Sequence, residues 1–167
     1  DLDVAAVPAN LASVLYNKTQ GKVSVAAINT LGVLYIVETG ESVKTLEDLK
    51  GKTIYSTGKG TTPEYALNYI LSSNAIDPQK DVTIEYKAEA TEVAAILASK
   101  DDVIALLPEP FVTAAKSKND KLTAAISLGE QWKKINGEEL VTGVIVVRNE
   151  FLENNQGAFK TFLGEYQ

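Results

Sequence analysis

Residues 52–64 read KTIYSTGKGTTPE, and this stretch has the pattern of a β-strand that turns directly into an α-helix. The β-branched and apolar residues at its start are typical of a buried strand. Gly58 and Gly60 then allow a tight turn and a close approach of other atoms to the backbone. Thr61 or Thr62 can cap the helix that follows. The segment therefore predicts one strand–turn–helix unit of an α/β protein.

Two interpretations of this turn remain open. Pro63 suits the first turn of a helix and Glu64 can close a capping box, which together describe an ordinary capped turn. Alternatively, free N–H groups at the helix start, together with the helix dipole, favour an anionic or acceptor-rich ligand. On the second interpretation the ligand-binding residues are Gly58, Gly60, Thr61 and Thr62. The turn is not a nucleotide phosphate loop, because Lys59 is followed by glycine where serine or threonine is needed.

The same alternation of strand and helix patterns runs along the whole chain. The predicted strands are Asp3–Val7, Lys22–Ile28, Leu34–Glu38, Lys52–Ser56, Val82–Tyr86, Val103–Leu107, Leu122–Ser127 and Gly143–Arg148. The predicted helices are Ala9–Asn17, Pro63–Ser73, Glu92–Ser99, Glu109–Ser117, Gly129–Lys134 and Ala158–Tyr166. This order predicts an α/β fold with mostly parallel sheets, whose strands are covered on both faces. We expect the strands that begin near Lys52, Val82 and Val103 to pair in parallel.

Other polar residues stand at predicted strand ends. Asn10 offers donors and an acceptor at a helix start, either to a ligand or only within the first turn. Glu109, between two prolines, can accept a hydrogen bond from a ligand or interact with the dipole of the next helix. Asn29 and Thr30 precede a chain crossing and face a cleft or form a turn. Thr91 completes the predicted set of ligand-binding residues.

The composition excludes several classes of function. The net charge of −6 argues against nucleic-acid binding, which depends on clustered lysine and arginine, and Arg148 is the one arginine. The chain has no cysteine and no histidine, so we expect no catalytic residue, no metal site and no cofactor. No apolar run approaches the roughly 18 residues that cross a bilayer. The one tryptophan, Trp132, stacks on a ligand or packs structurally, and we favour packing.

The ends of the chain also carry an expectation. Residue 1 is aspartate, the chain has no methionine, and no signal segment is visible. The first residues have the pattern of a strand already under way, and the last ones have the pattern of a helix that is cut short. We therefore expect a fragment or a processed form of a longer protein.

Five segments together resemble the solute-binding proteins of ABC importers for aliphatic sulfonates, taurine, nitrate and thiamine precursors, the NMT1-like group. They follow the family's order over nearly the whole chain, and the stretch TLEDLKGKTI before a Gly/Ser/Thr turn is the most specific of them. The segments are Leu2–Pro8, Lys44–Ile54, Gly58–Pro63, Asp102–Phe111 and Val144–Leu152.

The resemblance implies a type II periplasmic-binding-protein fold, in which two lobes joined by two hinge strands close on a ligand. On that basis, residues 1–38 and 124–167 belong to lobe 1, which is incomplete in this chain, and residues 39–123 form lobe 2. The implied ligand is a small polar solute of the sulfonate, nitrate or vitamin-precursor type, and the implied partners are ABC permease subunits. The implied location is extracytoplasmic, in the periplasm or as a cell-surface lipoprotein.

Two other functions fit the same resemblance. One is an enzyme of the thiamine-pyrimidine synthesis type on the same fold, and the other is the ligand-sensing domain of a receptor. We expect a binding protein rather than an enzyme. The chemistry of such an enzyme depends on histidine, a metal or a reactive side chain, and this chain has neither histidine nor cysteine. Fused neighbouring domains would distinguish a receptor.

Overall fold

The computed structural model describes residues 2–166 and divides into two compact units. The larger unit is Gly32–Leu140. The smaller unit combines the chain up to Leu31 with the chain from Val141 onward. Each unit has its own sheet and its own apolar core.

The eight strands predicted from the sequence are all present, with ends that differ by at most three residues. They are β1 (Val4–Pro8), β2 (Val23–Leu31), β3 (Leu34–Glu38), β4 (Thr53–Ser56), β5 (Thr83–Tyr86), β6 (Ile104–Pro108), β7 (Thr123–Ser127) and β8 (Val141–Arg148). The six predicted helices are also present. With one additional short helix they are α1 (Ala9–Lys18), α2 (Thr62–Ser73), α3 (Ala90–Ser99), α4 (Phe111–Lys116), α5 (Leu128–Asn136), α6 (Asn149–Asn154) and α7 (Gln156–Tyr166).

The sheet of the larger unit has the strand order β5-β4-β6-β3-β7. Strand β4 pairs in parallel with β5 and with β6, so the prediction of three parallel strands is confirmed. Strand β3 lies between β6 and β7 and is antiparallel to both. Helical crossovers keep β4 to β7 running in one direction, which the alternating pattern predicts. The insertion of β3 makes the expectation of mostly parallel sheets wrong.

Both faces of this sheet are covered, because side chains alternate across it along each strand. On one face Ile36 and Leu106 join the core beneath α2 and α5, which includes Leu67 and Leu128. On the other face the next residue along each of these strands joins a second core beneath α3 and α4. That core includes Val37, Leu107, Val93, Leu97 and Val112. The expectation of strands buried on both faces is therefore confirmed for β3 and β6, whereas β5 and β7 at the two sides of the sheet carry exposed residues.

The smaller unit has a three-stranded sheet with β8 at its centre, antiparallel to both β1 and β2. Helix α1 places Ala12 against Val144 and Val146 of β8. Val25 and Ile28 of β2 are each 56% exposed, so the expectation of two-sided burial is wrong for this strand. The apolar run in β2 predicts a strand correctly but does not determine how many layers cover it.

The two compact units have other bounds than the lobes inferred from the resemblance. Tyr35 of β3 pairs with Leu107 of β6 and with Ser127 of β7, so β3 and β7 both lie in the larger unit's sheet. Helix α5 packs on α2, where the ring centroids of Tyr69 and Trp132 are 4.9 Å apart. Residues 32–38 and 124–140 consequently lie in the larger unit.

A short 3-10 helix, Leu46–Leu49, was not predicted. The Asp48 carboxylate accepts hydrogen bonds from the backbone N–H groups of Lys44 (3.0 Å) and Thr45 (2.8 Å) and from the Thr45 hydroxyl (2.9 Å). These backbone hydrogen bonds, first that of Lys44 and then that of Thr45, lower the pKa of Asp48 below its ordinary value. The hydrogen bonds between Thr45 and Asp48 form a capping box, which stabilises the start of this short helix in the TLEDLKGKTI stretch before β4.

Candidate functional site

The carboxyl ends of β4, β5 and β6 lie along one edge of the larger unit's sheet. We call the loops that follow these strands, residues 57–61, 87–89 and 109–110, the strand-end edge. The N–H of Lys87 donates to the carbonyl of Ser56 at 2.8 Å and ties the first two loops together. In open α/β sheets ligands bind at this end of parallel strands. The strand-end edge is therefore the candidate site of this unit.

The two glycines of the first loop both have left-handed backbone conformations, with φ of 72° at Gly58 and 77° at Gly60. Their surroundings differ. A Cβ on Gly58 would lie 2.5 Å from Oγ1 of Thr61, whereas a Cβ on Gly60 would meet no atom within 4 Å. Gly58 is thus required by contacts within the loop, and Gly60 leaves open space.

The start of α2 is held in a way that the sequence did not predict. Thr61 occupies the N-cap position, but its hydroxyl donates to the Gly58 carbonyl at 2.5 Å and does not cap a helix N–H. The Glu64 carboxylate folds back and accepts a hydrogen bond from the N–H of Gly60. Pro63 lies in the first turn, as expected. Because Glu64 already accepts from the N–H of Gly60, this group is not one of the free donors that the ligand interpretation of the turn requires.

Two tyrosines at this edge were missed by the sequence analysis. Burial, the negative charge of Glu64 and a hydrogen bond to Glu64 together raise the pKa of Tyr86 to about 12, and burial is the largest of the three causes. Nζ of Lys59 lies 5.7 Å from the ring centroid of Tyr86, and Nζ of Lys87 lies 5.5 Å from that of Tyr55. The available signal was the position of both tyrosines at or next to the last residue of a strand.

Glu109 follows β6 on the strand-end edge, but its carboxylate binds within its own chain segment. It accepts from the N–H of Thr113 at 3.2 Å and from the Thr113 hydroxyl at 3.1 Å. This arrangement favours a role at the start of α4. Thr91 is exposed on α3, where it lines a groove of about 410 Å³ that the alanine-rich faces of α3 and α4 form. Thr62 is buried as the first residue of α2.

The remaining predicted residues lie in the smaller unit. Asn10 is in the first turn of α1, and its carbonyl accepts from the Ser13 hydroxyl at 2.8 Å. Asn29 and Thr30 lie inside β2 and not in a turn. The Asn29 amide donates to the hydroxyl of Tyr166 at 3.1 Å, and the Thr30 hydroxyl donates to Asn29 Oδ1 at 3.3 Å.

Trp132 packs structurally. It is partly buried against the core beneath α2 and α5 and stacks at a tilt on Tyr69. The Tyr69 hydroxyl donates to Asn136 Oδ1 at 2.7 Å, which fixes α2 against α5. Within residues 2–166, no group of three or more acidic side chains is placed to hold a metal ion. In the same range, no helix combines the length and apolar character of a membrane span.

The fold is the mixed α/β fold of periplasmic binding proteins. The aliphatic sulphonate binding protein SsuA of Escherichia coli shares it at 14% identity, over 99% of this chain and 54% of that one, with a TM-score of 0.76. SsuA of Xanthomonas axonopodis pv. citri bound to MOPS shares it at 17% identity, over 99% and 54%, with a TM-score of 0.68. An ABC transporter protein of Parabacteroides distasonis is 28% identical over 98% of this chain and 54% of that one, with a TM-score of 0.71.

The chain matches the family described as NMT1/THI5 like over residues 13–166, and it belongs to that family. A comparison with curated proteins gives no match. The chain spans about half the length of the solved structures that it resembles.

Proposed function

We propose that this chain is part of the extracytoplasmic solute-binding component of an ABC importer, which captures a small polar molecule and delivers it to the permease. The observation that carries the proposal is that nearly the whole chain has the fold of solute-binding proteins and belongs to the NMT1/THI5-like family. Two of the solved structures are named as sulfonate-binding proteins, and a third is named as an ABC transporter. Permease contact, extracytoplasmic location and lipid anchoring belong to this proposal.

In the larger unit, the proposed ligand contacts are at the strand-end edge. Gly60 has open space beside it, while Gly58 and Thr61 hold the loop's shape. Because the ring of Tyr86 lies near Lys59 of this loop and the ring of Tyr55 lies near Lys87 of the next loop, we add both tyrosines to the set. The residues carried from the sequence are Gly58, Gly60, Thr61, Thr62, Thr91 and Glu109 here, and Asn10, Asn29 and Thr30 in the smaller unit.

The proposal includes binding without chemical conversion. The solved structures named above are binding and transport proteins, which supports this view. An enzyme of the thiamine-pyrimidine synthesis type remains the alternative, and turnover of a bound molecule would distinguish it. A sensing domain would bind the same solutes and differ in the domains fused to it.

Equilibrium dialysis of the full-length protein tests binding and conversion together. The protein is dialysed against a defined mixture of butanesulfonate, nitrate, 4-amino-5-hydroxymethyl-2-methylpyrimidine and riboflavin, and each compound is quantified on both sides. We expect enrichment of one compound on the protein side with its total amount unchanged. Loss of a compound together with the appearance of a product would overturn the proposal in favour of an enzyme.

A further inference from the structure

A negatively charged side chain of the protein itself lies at the start of α2. The Glu64 carboxylate accepts the N–H of Gly60, ahead of the helix. The hydroxyl of Tyr86 is hydrogen-bonded to the same side chain. A carboxylate in this position satisfies a backbone donor and interacts favourably with the positive end of the helix dipole.

This placement changes what the loop can bind. A backbone N–H group at a helix start is a binding point for an external anion when it is vacant. Here an external sulfonate or nitrate would have to displace Glu64 or lie beside its negative charge. The Glu64 carboxylate repels an external anion that lies beside it, and the repulsion is stronger where solvent is partly excluded.

The other charges around the strand-end edge also disfavour an anionic ligand. Four glutamates against two lysines occur in or next to its loops, so the balance is negative. The six side chains are Lys59, Lys87, Glu64, Glu85, Glu89 and Glu109. The ammonium group of Lys87 also lies 3.7 Å from the Glu85 carboxylate, which partly neutralises it. An anion therefore meets a net repulsive field at this edge.

We propose that Glu64 is a specificity-determining residue, a built-in substitute for an anion that excludes anionic ligands from the strand-end edge. The ligand of this edge is then uncharged or cationic, with hydrogen-bond donors toward Glu64 and a flat group that contacts a tyrosine ring. This inference rests on the proposed function for its site. A neutral heterocycle fits this description, whereas a sulfonate or nitrate does not.

The test uses isotope-labelled full-length protein and sodium methanesulfonate as the probe, with the amide signal of Gly60 as the readout. In the wild type we expect no saturable shift of that signal. In Glu64→Ala the N–H loses its internal acceptor, so we expect a saturable shift and at least about tenfold tighter methanesulfonate binding than in the wild type. Glu64→Gln keeps an acceptor and removes the charge, so its affinity should lie between the two.

Glu130→Ala is the matched control, because Glu130 is also a first-turn glutamate of a helix in the larger unit. It should behave like the wild type. A saturable Gly60 shift in the wild type, or none in Glu64→Ala, would overturn the proposal. If Glu64→Ala does not fold, an affinity of Glu64→Gln equal to that of the wild type would overturn it.

The charge of the solute retained in dialysis separates this inference from the proposed function. An uncharged or cationic solute supports both. Retention of butanesulfonate or nitrate would leave the binding function intact and overturn the ligand class. If no solute is retained, the proposed function loses its support, while the methanesulfonate titration still decides the role of Glu64.

Discussion

At the scale of single residues, Glu64 and Tyr86 form the pair that most influences the strand-end edge. The Tyr86 hydroxyl is partly withdrawn from water and lies beside a carboxylate, and both conditions favour its protonated form. Because Tyr86 ends β5 and Glu64 lies in the first turn of α2, the pair also links the second and third elements of the strand–helix–strand unit. The titration of Tyr86 therefore reports whether Glu64 is held beside its hydroxyl.

The pKa of Tyr86, about 12, lies above the ordinary value of 10.0, so folding favours the protonated phenol. This contribution to stability is complete below about pH 10 and is lost as the pH rises toward about 12. We expect Glu64→Gln to lower the pKa of Tyr86 but to leave it above 10.0, because burial is the larger cause. Phenolate absorbance against pH, with Tyr86→Phe subtracted, measures the midpoint.

Glu130→Gln serves as the charge control for that titration and should not move the midpoint. An unchanged midpoint in Glu64→Gln would show that Glu64 does not act on Tyr86. A midpoint that falls fully to the ordinary tyrosine value would show that burial is not the main cause.

The two loop glycines give a second prediction at the residue scale. An alanine at either position has a strained positive φ, which costs about 1–3 kcal/mol. Gly58→Ala also drives its Cβ against the Thr61 hydroxyl, so it should cost more free energy of unfolding than Gly60→Ala. In a Thr61→Ala background that excess should largely disappear. Urea unfolding of the four variants of full-length protein measures this coupling, and strictly additive effects of Gly58→Ala and Thr61→Ala would contradict it.

At the scale of elements, α3 is held by its buried face. Leu97 is fully buried in the core beneath α3 and α4, and Glu92 on the same helix is exposed. We expect Leu97→Ala to reduce the free energy of unfolding by about 2–5 kcal/mol and Glu92→Ala by less than about 0.5 kcal/mol. Equal urea midpoints for the two variants would show that this helix does not cover the sheet.

The positions and directions of elements could be predicted from the sequence, because they depend on local patterns. Strand β3 was predicted with its observed bounds, and the parallel pairing of β4 with β5 and β6 follows from the helices between them. The position of β3 between β6 and β7 could not be predicted, since nothing in its five residues specifies its neighbours. Likewise, the apolar residues of β2 did not reveal that part of the strand is exposed.

The sequence predicted the location of the candidate site but not the hydrogen bonds within it. The glycine turn after β4 correctly indicated a loop at the strand ends. Which acceptor the Gly60 N–H finds depends on how Glu64 folds back, and this is a rotamer choice that the sequence leaves open. Asn29 was expected either to face a cleft or to form a turn, and it lies in a bulged part of β2 because β2 extends to Leu31.

At the scale of the whole molecule, the chain has the fold of periplasmic binding proteins and belongs to the NMT1/THI5-like family, and its function and its ligand are proposals. The family match covers residues 13–166, and the solved structures are almost twice as long as this chain. In our proposal, the charge balance of the strand-end edge is the feature that distinguishes among the solutes that the family membership leaves open.

Native mass spectrometry of the full-length protein, purified without denaturation, tests the central claim most directly. The account predicts a fraction of the protein carrying one small polar molecule, which is released intact on unfolding and exchanges with added free solute. Gly60→Val should lose that molecule and keep its fold, whereas Glu130→Ala should retain it. A protein that carries no exchangeable solute, or that releases a chemically altered one, would contradict the account.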